Sequence, residues 1–91
     1  MAYNNRGVAR QQKGDLEGAI SDFGRAIAAN PRHAEAYANR GIALLRLGKK
    51  AEAQRDLSQS LALKPGLKPF IEQSTAGQPW RTPVRQPGTG S

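Results

Sequence analysis

Two pairs of oppositely charged side chains recur in this chain at an identical spacing. Arg6 is followed sixteen residues later by Asp22, and Arg40 is followed by Asp56 at the same distance. An arginine and a carboxylate can join two helices through paired hydrogen bonds, and the same arginines could instead recognise an acidic ligand. Because both pairs keep one spacing, we favour an ion pair within each unit, with basic recognition as the alternative.

Two asparagines stand beside those arginines at equivalent places, Asn5 next to Arg6 and Asn39 next to Arg40. A carboxamide donates and accepts hydrogen bonds together, so these side chains could hold the backbone of a bound peptide. The alternative is that a helix exposes a polar residue there without any ligand.

Catalytic and metal chemistry find little support in the remaining side chains. His33 is the only histidine and the chain has no cysteine, so a zinc site lacks ligands and no Ser/His/Asp arrangement can be assembled. The glycines form no phosphate-binding loop. We therefore predict that the protein is not an enzyme and uses no cofactor or metal, and we expect His33 to be an exposed turn residue.

The net charge of +7, from fourteen basic and seven acidic residues, favours acidic partners, nucleic acid among them. The basic residues are scattered, however, with no run longer than Lys49-Lys50. Scatter of this kind is typical of a solvated surface, so nucleic-acid binding is kept only as the alternative function. No apolar run approaches the length of a membrane span and no secretory leader is recognisable, so a cytoplasmic location is favoured.

The motif around the first arginine is written twice, as Tyr3-Asn-Asn-Arg-Gly7 and as Tyr37-Ala-Asn-Arg-Gly41, at an offset of 34 residues. Self-similarity at a fixed period of this size indicates a repeat architecture. Further identities keep the same offset: Ala9 and Ala43, Gly14 and Gly48, Ala19 and Ala53, Ala28 and Ala62, Pro31 and Pro65.

Each unit is predicted to contain two helices. Glycine stops, an aspartate N-cap, terminal prolines and apolar residues at i, i+3, i+4 spacing delimit them. The predicted helices span residues 2–13, 15–29, 34–47 and 50–63, and a short third helix at about 69–75 follows. Leu67, Phe70 and Ile71 are expected to cap the open end of the array.

Residues 77–91, with Trp80, are predicted to be a disordered Pro/Gly-rich tail. Trp80 is either idle or an anchor for a partner.

The aligned positions resemble the tetratricopeptide repeat family over roughly residues 2–65. The matching residues are Tyr3, Gly7, Ala19, Phe23, Ala26 and Pro31 in the first unit, and Tyr37, Gly41, Ala53, Leu57 and Pro65 in the second. Arg10 departs from the pattern, because the family usually has Tyr or Leu there. The resemblance implies an all-α, right-handed solenoid fragment of antiparallel helix pairs, with repeats at about 1–33 and 34–67 and the domain ending near residue 76.

The glycines inside the first helix of each unit are read as packing residues. Gly7 and Gly41 cost helix stability, so we expect each to let the partner helix approach, against Ala19 and Ala53 respectively.

The resemblance also implies the function. The family binds peptides or partner helices in a groove lined by the first helix of each unit. By position, the groove residues would be Asn4, Asn5, Val8, Gln12, Glu35, Asn39, Ile42 and Arg46, with Gln11, Ala38 and Leu45 beside them. We therefore predict a protein–protein interaction scaffold with a protein or peptide partner. Self-association is possible because two repeats leave apolar ends to cover.

Overall fold

The computed structural model describes residues 3–75, and within them the secondary structure is entirely helical. The helices are α1 (Tyr3–Gln12), α2 (Leu16–Ala29), α3 (Ala34–Arg46), α4 (Lys50–Leu63) and α5 (Lys68–Ser74), with a 3-10 turn at Pro65–Leu67 before α5. The predicted all-α repeat architecture is confirmed. The tail predicted at residues 77–91, including Trp80, lies outside the described residues.

The turns within each helix pair depend on glycines in the left-handed region. Gly14 has φ of 91° and Gly48 has φ of 85°, values that side-chain-bearing residues rarely adopt. Each glycine reverses the chain just after a first helix, so the second helix of the unit packs back alongside it. These turns keep α1 against α2 and α3 against α4, and α3 also packs on α2.

Side chains cap two of the helix starts. Asp15 Oδ1 accepts a hydrogen bond of 3.0 Å from the Gly18 N–H at the start of α2. His33 Nδ1 accepts one of 3.3 Å from the Ala36 N–H at the start of α3. The expectation that His33 is an exposed turn residue was therefore wrong, because the imidazole is half-buried and satisfies a free donor of the first helical turn.

The buried residues of the described helices form three clusters, built mainly from small and aliphatic side chains. Among residues 3–75 Phe23 is the largest side chain that is fully buried, and it packs with Ala19 and Ala43. Farther along the chain Leu57 packs with Ile42 and Ala38.

The two mid-helix glycines accept a bulky neighbour, as their cost to the helix suggested. A Cβ at Gly7 would lie 2.5 Å from the Phe23 ring, and a Cβ at Gly41 would lie 2.8 Å from Leu57 Cγ. The predicted partner of Gly7, Ala19, was wrong, because the space is filled by Phe23 one turn later. At Gly41 the carbonyl oxygen of the expected Ala53 is also near, 3.1 Å from the position of such a Cβ.

The predicted ion pairs between the two helices of each unit are confirmed. Arg6 donates from Nε and Nη2 to the two carboxylate oxygens of Asp22, at 3.0 and 2.8 Å. Arg40 makes the same bidentate contact with Asp56, at 2.6 and 2.9 Å. Both carboxylates are buried, so each arginine is engaged by an aspartate of its own repeat. Arg10, which departs from the family pattern, lies 3.5 Å from Asp22 and gives it a second cation.

These contacts predict a loss of stability in acid. The hydrogen bonds from Arg6 hold the pKa of the buried Asp22 carboxyl below its ordinary value, and burial opposes them only in part. A carboxyl with a lowered folded-state pKa stabilises the fold above its unfolded pKa of about 4, and this stabilisation disappears as the pH falls through the folded-state value. We expect the free energy of unfolding, measured by urea titration, to drop below about pH 4.

The matched variant is Asp22→Asn, which should have lower stability at neutral pH and a flatter dependence on pH below about 4. An acid dependence equally steep in the variant and in the wild type would contradict the assignment to Asp22.

The short helix α5 closes part of the C-terminal end of the array. Ile71 is buried among Ala38, Ile42 and Leu57, and Leu67 packs against the same cluster. Phe70 was predicted to share this role but is 44% exposed. It occupies the neighbouring position on a helix of only seven residues, so when Ile71 points into the core Phe70 lies on a different side of α5.

Candidate partner-binding groove

The first helices of the two repeats and α5 enclose a shallow depression, here called the concave groove. Its cavity volume is about 180 Å³. The lining residues come from all three helices: Val8, Gln11 and Gln12 from α1, Asn39, Ile42 and Arg46 from α3, and Phe70 and Ser74 from α5.

Apolar side chains form the floor and one wall of the concave groove. Ile42 is almost fully buried and forms part of the floor, while Val8 is half-buried on the opposite helix. Phe70 is the most exposed large apolar side chain among residues 3–75. An exposed aromatic ring beside a buried aliphatic floor offers a place for one apolar side chain of a partner.

Asn39 lies at the junction of the two repeats. Its Nδ2 donates a 3.0 Å hydrogen bond to Asn4 Oδ1, which links the first helices of the two units. That contact uses one of the two amide protons, so Asn39 keeps its carbonyl oxygen and a second N–H. An asparagine fixed by a neighbour in this way can still accept from and donate to a peptide backbone.

The charge of the concave groove comes from Arg46. Its side chain is exposed at the end of α3, and within residues 3–75 no carboxylate lies at ion-pair distance from it. Arg6 and Arg40, in contrast, are each held by a buried aspartate. Arg46 is therefore available for an acidic group of a partner.

The remaining three predicted residues lie elsewhere. Asn4, Asn5 and Glu35 line a second depression of about 480 Å³, at the ends of α1, α2 and α3, together with His33 and Asn30. Glu35 is already engaged there, because Lys64 Nζ donates to its Oε2 at 2.9 Å and this hydrogen bond lowers the pKa of the Glu35 carboxyl. The eight predicted positions thus divide between two depressions, five in the concave groove and three outside it.

Two residues placed beside the predicted groove are not accessible. Ala38 and Leu45 are buried in the packing of α3 and, unlike the equally buried Ile42, neither of them lines the concave groove. Phe70 and Ser74 were missed as groove residues, because the array was expected to end at the second repeat and α5 was read only as a cap. The sequence offered one indication of them, because a short helix that buries one side in the core must expose residues on its other side.

Other kinds of site find no support in the described part of the chain. Among residues 3–75 no group of three or more histidine, aspartate or glutamate side chains could hold a metal ion. The helices in this range are also too short or too polar for any of them to cross a membrane.

Comparison with known proteins defines the class. The family model for the tetratricopeptide repeat matches residues 4–67, which is 64 of the 91 residues, and the chain belongs to this family. It is also similar to an uncharacterized protein, MJ0572, of Methanocaldococcus jannaschii. The two are 37% identical over 62 residues, which cover 68% of this chain and 72% of that protein.

Membership of the family carries a general function. Tetratricopeptide repeats form a non-enzymatic scaffold fold and generally mediate protein–protein interactions.

Proposed function

We propose that this protein is an interaction module that binds a peptide or a helix of a partner protein in the concave groove. The observation that carries the proposal is the combination on one surface of an apolar floor, a free cation and an amide with unused hydrogen-bonding groups. Ile42 and Phe70 supply the apolar surface, Arg46 the charge and Asn39 the amide.

The composition of the concave groove suggests the chemistry of the partner. An apolar side chain of the partner would contact Phe70 and Val8, and its backbone would hydrogen-bond to Asn39. A carboxylate of the partner that lies near the carboxyl end of α3 would pair with Arg46. The positive charge of the whole protein would also favour an acidic partner. The proposed partner segment is therefore acidic and contains at least one apolar anchor.

Reversal of the groove charge should weaken binding. In Arg46→Glu a carboxylate of the partner would meet a like charge, and we expect the affinity to fall by at least about tenfold, equal to about 1.4 kcal/mol. Affinity capture with the wild type, followed by titration of each retained protein against the variant, measures this effect.

The matched control is Lys50→Glu, an identical charge change at an exposed position in the first turn of α4 that does not line the concave groove. Partners that bind both variants as well as the wild type would move the binding site off the concave groove. If nuclease treatment removed all captured protein, the alternative of nucleic-acid binding would be favoured instead.

Self-association remains a prediction, which light scattering over a range of protein concentrations would test.

A further inference from the structure

A further depression, distinct from the two described above, is an apolar groove between α4 and α5 at the C-terminal end of the described helices. It is here called the end groove. Its cavity volume is about 470 Å³, within the range of ligand-binding clefts. Leu57, Leu61 and Ile71 form its apolar floor, and Gln54, Ser58 and Glu72 stand on its polar rim. None of these six residues lines the concave groove.

The end groove exists because the helix that follows α4 is short. The side of α2 that faces the next unit is covered by α3, which has thirteen residues. The corresponding side of α4 is followed by a 3-10 turn and by the seven-residue α5. Within residues 3–75, therefore, part of the apolar surface of α4 has no helix packed over it, and Leu61 stays half-exposed.

The chain itself leaves the described region from this groove. Thr75 is fully buried, lines the end groove and immediately precedes residue 76. Trp80 follows five residues later, and five residues of extended chain reach up to about 17 Å. That distance exceeds the length of α5, about 10 Å, so the intervening chain is long enough for Trp80 to fold back over the groove beside α5.

The chemistry of the end groove suits an indole ring. Tryptophan combines a large apolar surface with one N–H donor that needs a partner when it is buried. The floor of Leu57, Leu61 and Ile71 offers the apolar contact, and the rim offers side-chain acceptors. Arg81, directly after Trp80, could also pair with the Glu72 carboxylate on that rim.

We propose that Trp80 docks in the end groove and that this contact covers the C-terminal end of the array. The proposed occupant of the end groove is therefore a segment of the same chain and not another protein. The proposal does not depend on the function of the concave groove, because the two grooves share no lining residue.

The emission of Trp80 tests this docking directly, since it is the only tryptophan of the protein. In the full chain we expect emission shifted to shorter wavelength and acrylamide quenching several-fold weaker than in urea. We also expect neither quantity to change with protein concentration.

A pair of variants on α4 locates the contact. Ser58→Arg places a long charged side chain on the rim of the end groove, and Gln59→Arg makes a similar change one residue away, outside that groove. Both positions are exposed, so circular dichroism should show the same helix content in both variants. We expect Ser58→Arg to give the emission and quenching of a solvent-exposed indole and Gln59→Arg to resemble the wild type.

Three results would overturn the proposal. Emission of the native protein equal to that in urea would show that Trp80 is not docked. A shift that appears only at high concentration would assign the end groove to a second copy of the chain. A shift that survives Ser58→Arg, or that both variants abolish equally, would place Trp80 elsewhere.

Discussion

Replacement of Arg40 by methionine should destabilise the protein by about 2–3 kcal/mol, at or just below the usual cost of removing one partner of a buried ion pair. Asp56 is buried and receives both of its side-chain hydrogen bonds from Arg40. In Arg40→Met the carboxylate would remain between α3 and α4 without a cation at ion-pair distance among the described residues. Urea unfolding followed by circular dichroism measures the loss.

The equivalent change in the first repeat provides an internal comparison. In Arg6→Met, Asp22 would keep a second cation, because Arg10 lies 3.5 Å from it. We therefore expect Arg6→Met to destabilise the protein less than Arg40→Met. Equal losses, or a larger loss for Arg6→Met, would contradict the role given to Arg10.

A double variant separates loss of the ion pair from loss of packing. In Arg40→Met/Asp56→Leu no buried charge remains, and replacement of buried ion pairs by apolar residues is often neutral or stabilising. We expect the double variant to recover most of the stability lost in Arg40→Met. A double variant less stable than Arg40→Met would show that the hydrophobic side chains cannot fill this site.

Alanine in place of Gly7 should destabilise the protein by about 1–2 kcal/mol, although alanine is the better helix former. The new Cβ would lie 2.5 Å from the ring of Phe23, which is fully buried and cannot move away easily. Overpacking of this kind costs about 1–3 kcal/mol, and the gain in helix propensity returns up to about 1 kcal/mol. Thermal and urea unfolding of the variant measure the net effect.

Gly24→Ala is the matched control for Gly7→Ala. Gly24 also lies inside a helix, but a Cβ there would have only an ordinary contact of 3.7 Å, with Arg40 Nη1. The substitution should therefore stabilise the protein by about 0.5–1 kcal/mol, the usual gain of alanine over glycine within a helix. The two substitutions are expected to have opposite signs, and a stabilising Gly7→Ala would show that the ring is not tightly held.

Features that repeat in the chain could be predicted from the sequence, because two copies constrain each other. The ion pairs of Arg6 and Arg40 followed from a shared spacing, and the helix pairs from duplicated glycine turns. Contacts within one copy were harder to predict. The partner of Gly7 proved to be Phe23, since spacing gives the face of a helix but not which side chain fills the gap.

The candidate site was predicted less well than the fold, for a geometrical reason. Asn5 and Asn39 are equivalent in sequence, yet Asn5 faces the second depression and Asn39 the concave groove. Asn39 lies on α3, which contacts both α1 and α5, whereas Asn5 lies on α1, the first of the described helices. Phe70 belongs to neither copy of the repeat, so no internal comparison could place it.

Mapping of a bound partner peptide onto the backbone amides by NMR tests the proposed function most directly. Binding in the concave groove predicts the largest amide shifts on three helices, at Val8 and Gln12, at Asn39 and Arg46, and at Ser74. The outward side of α4, represented by Gln59 and Ala62, should change little. Shifts concentrated on α2 and α4, with α1 and α3 unaffected, would contradict the proposal.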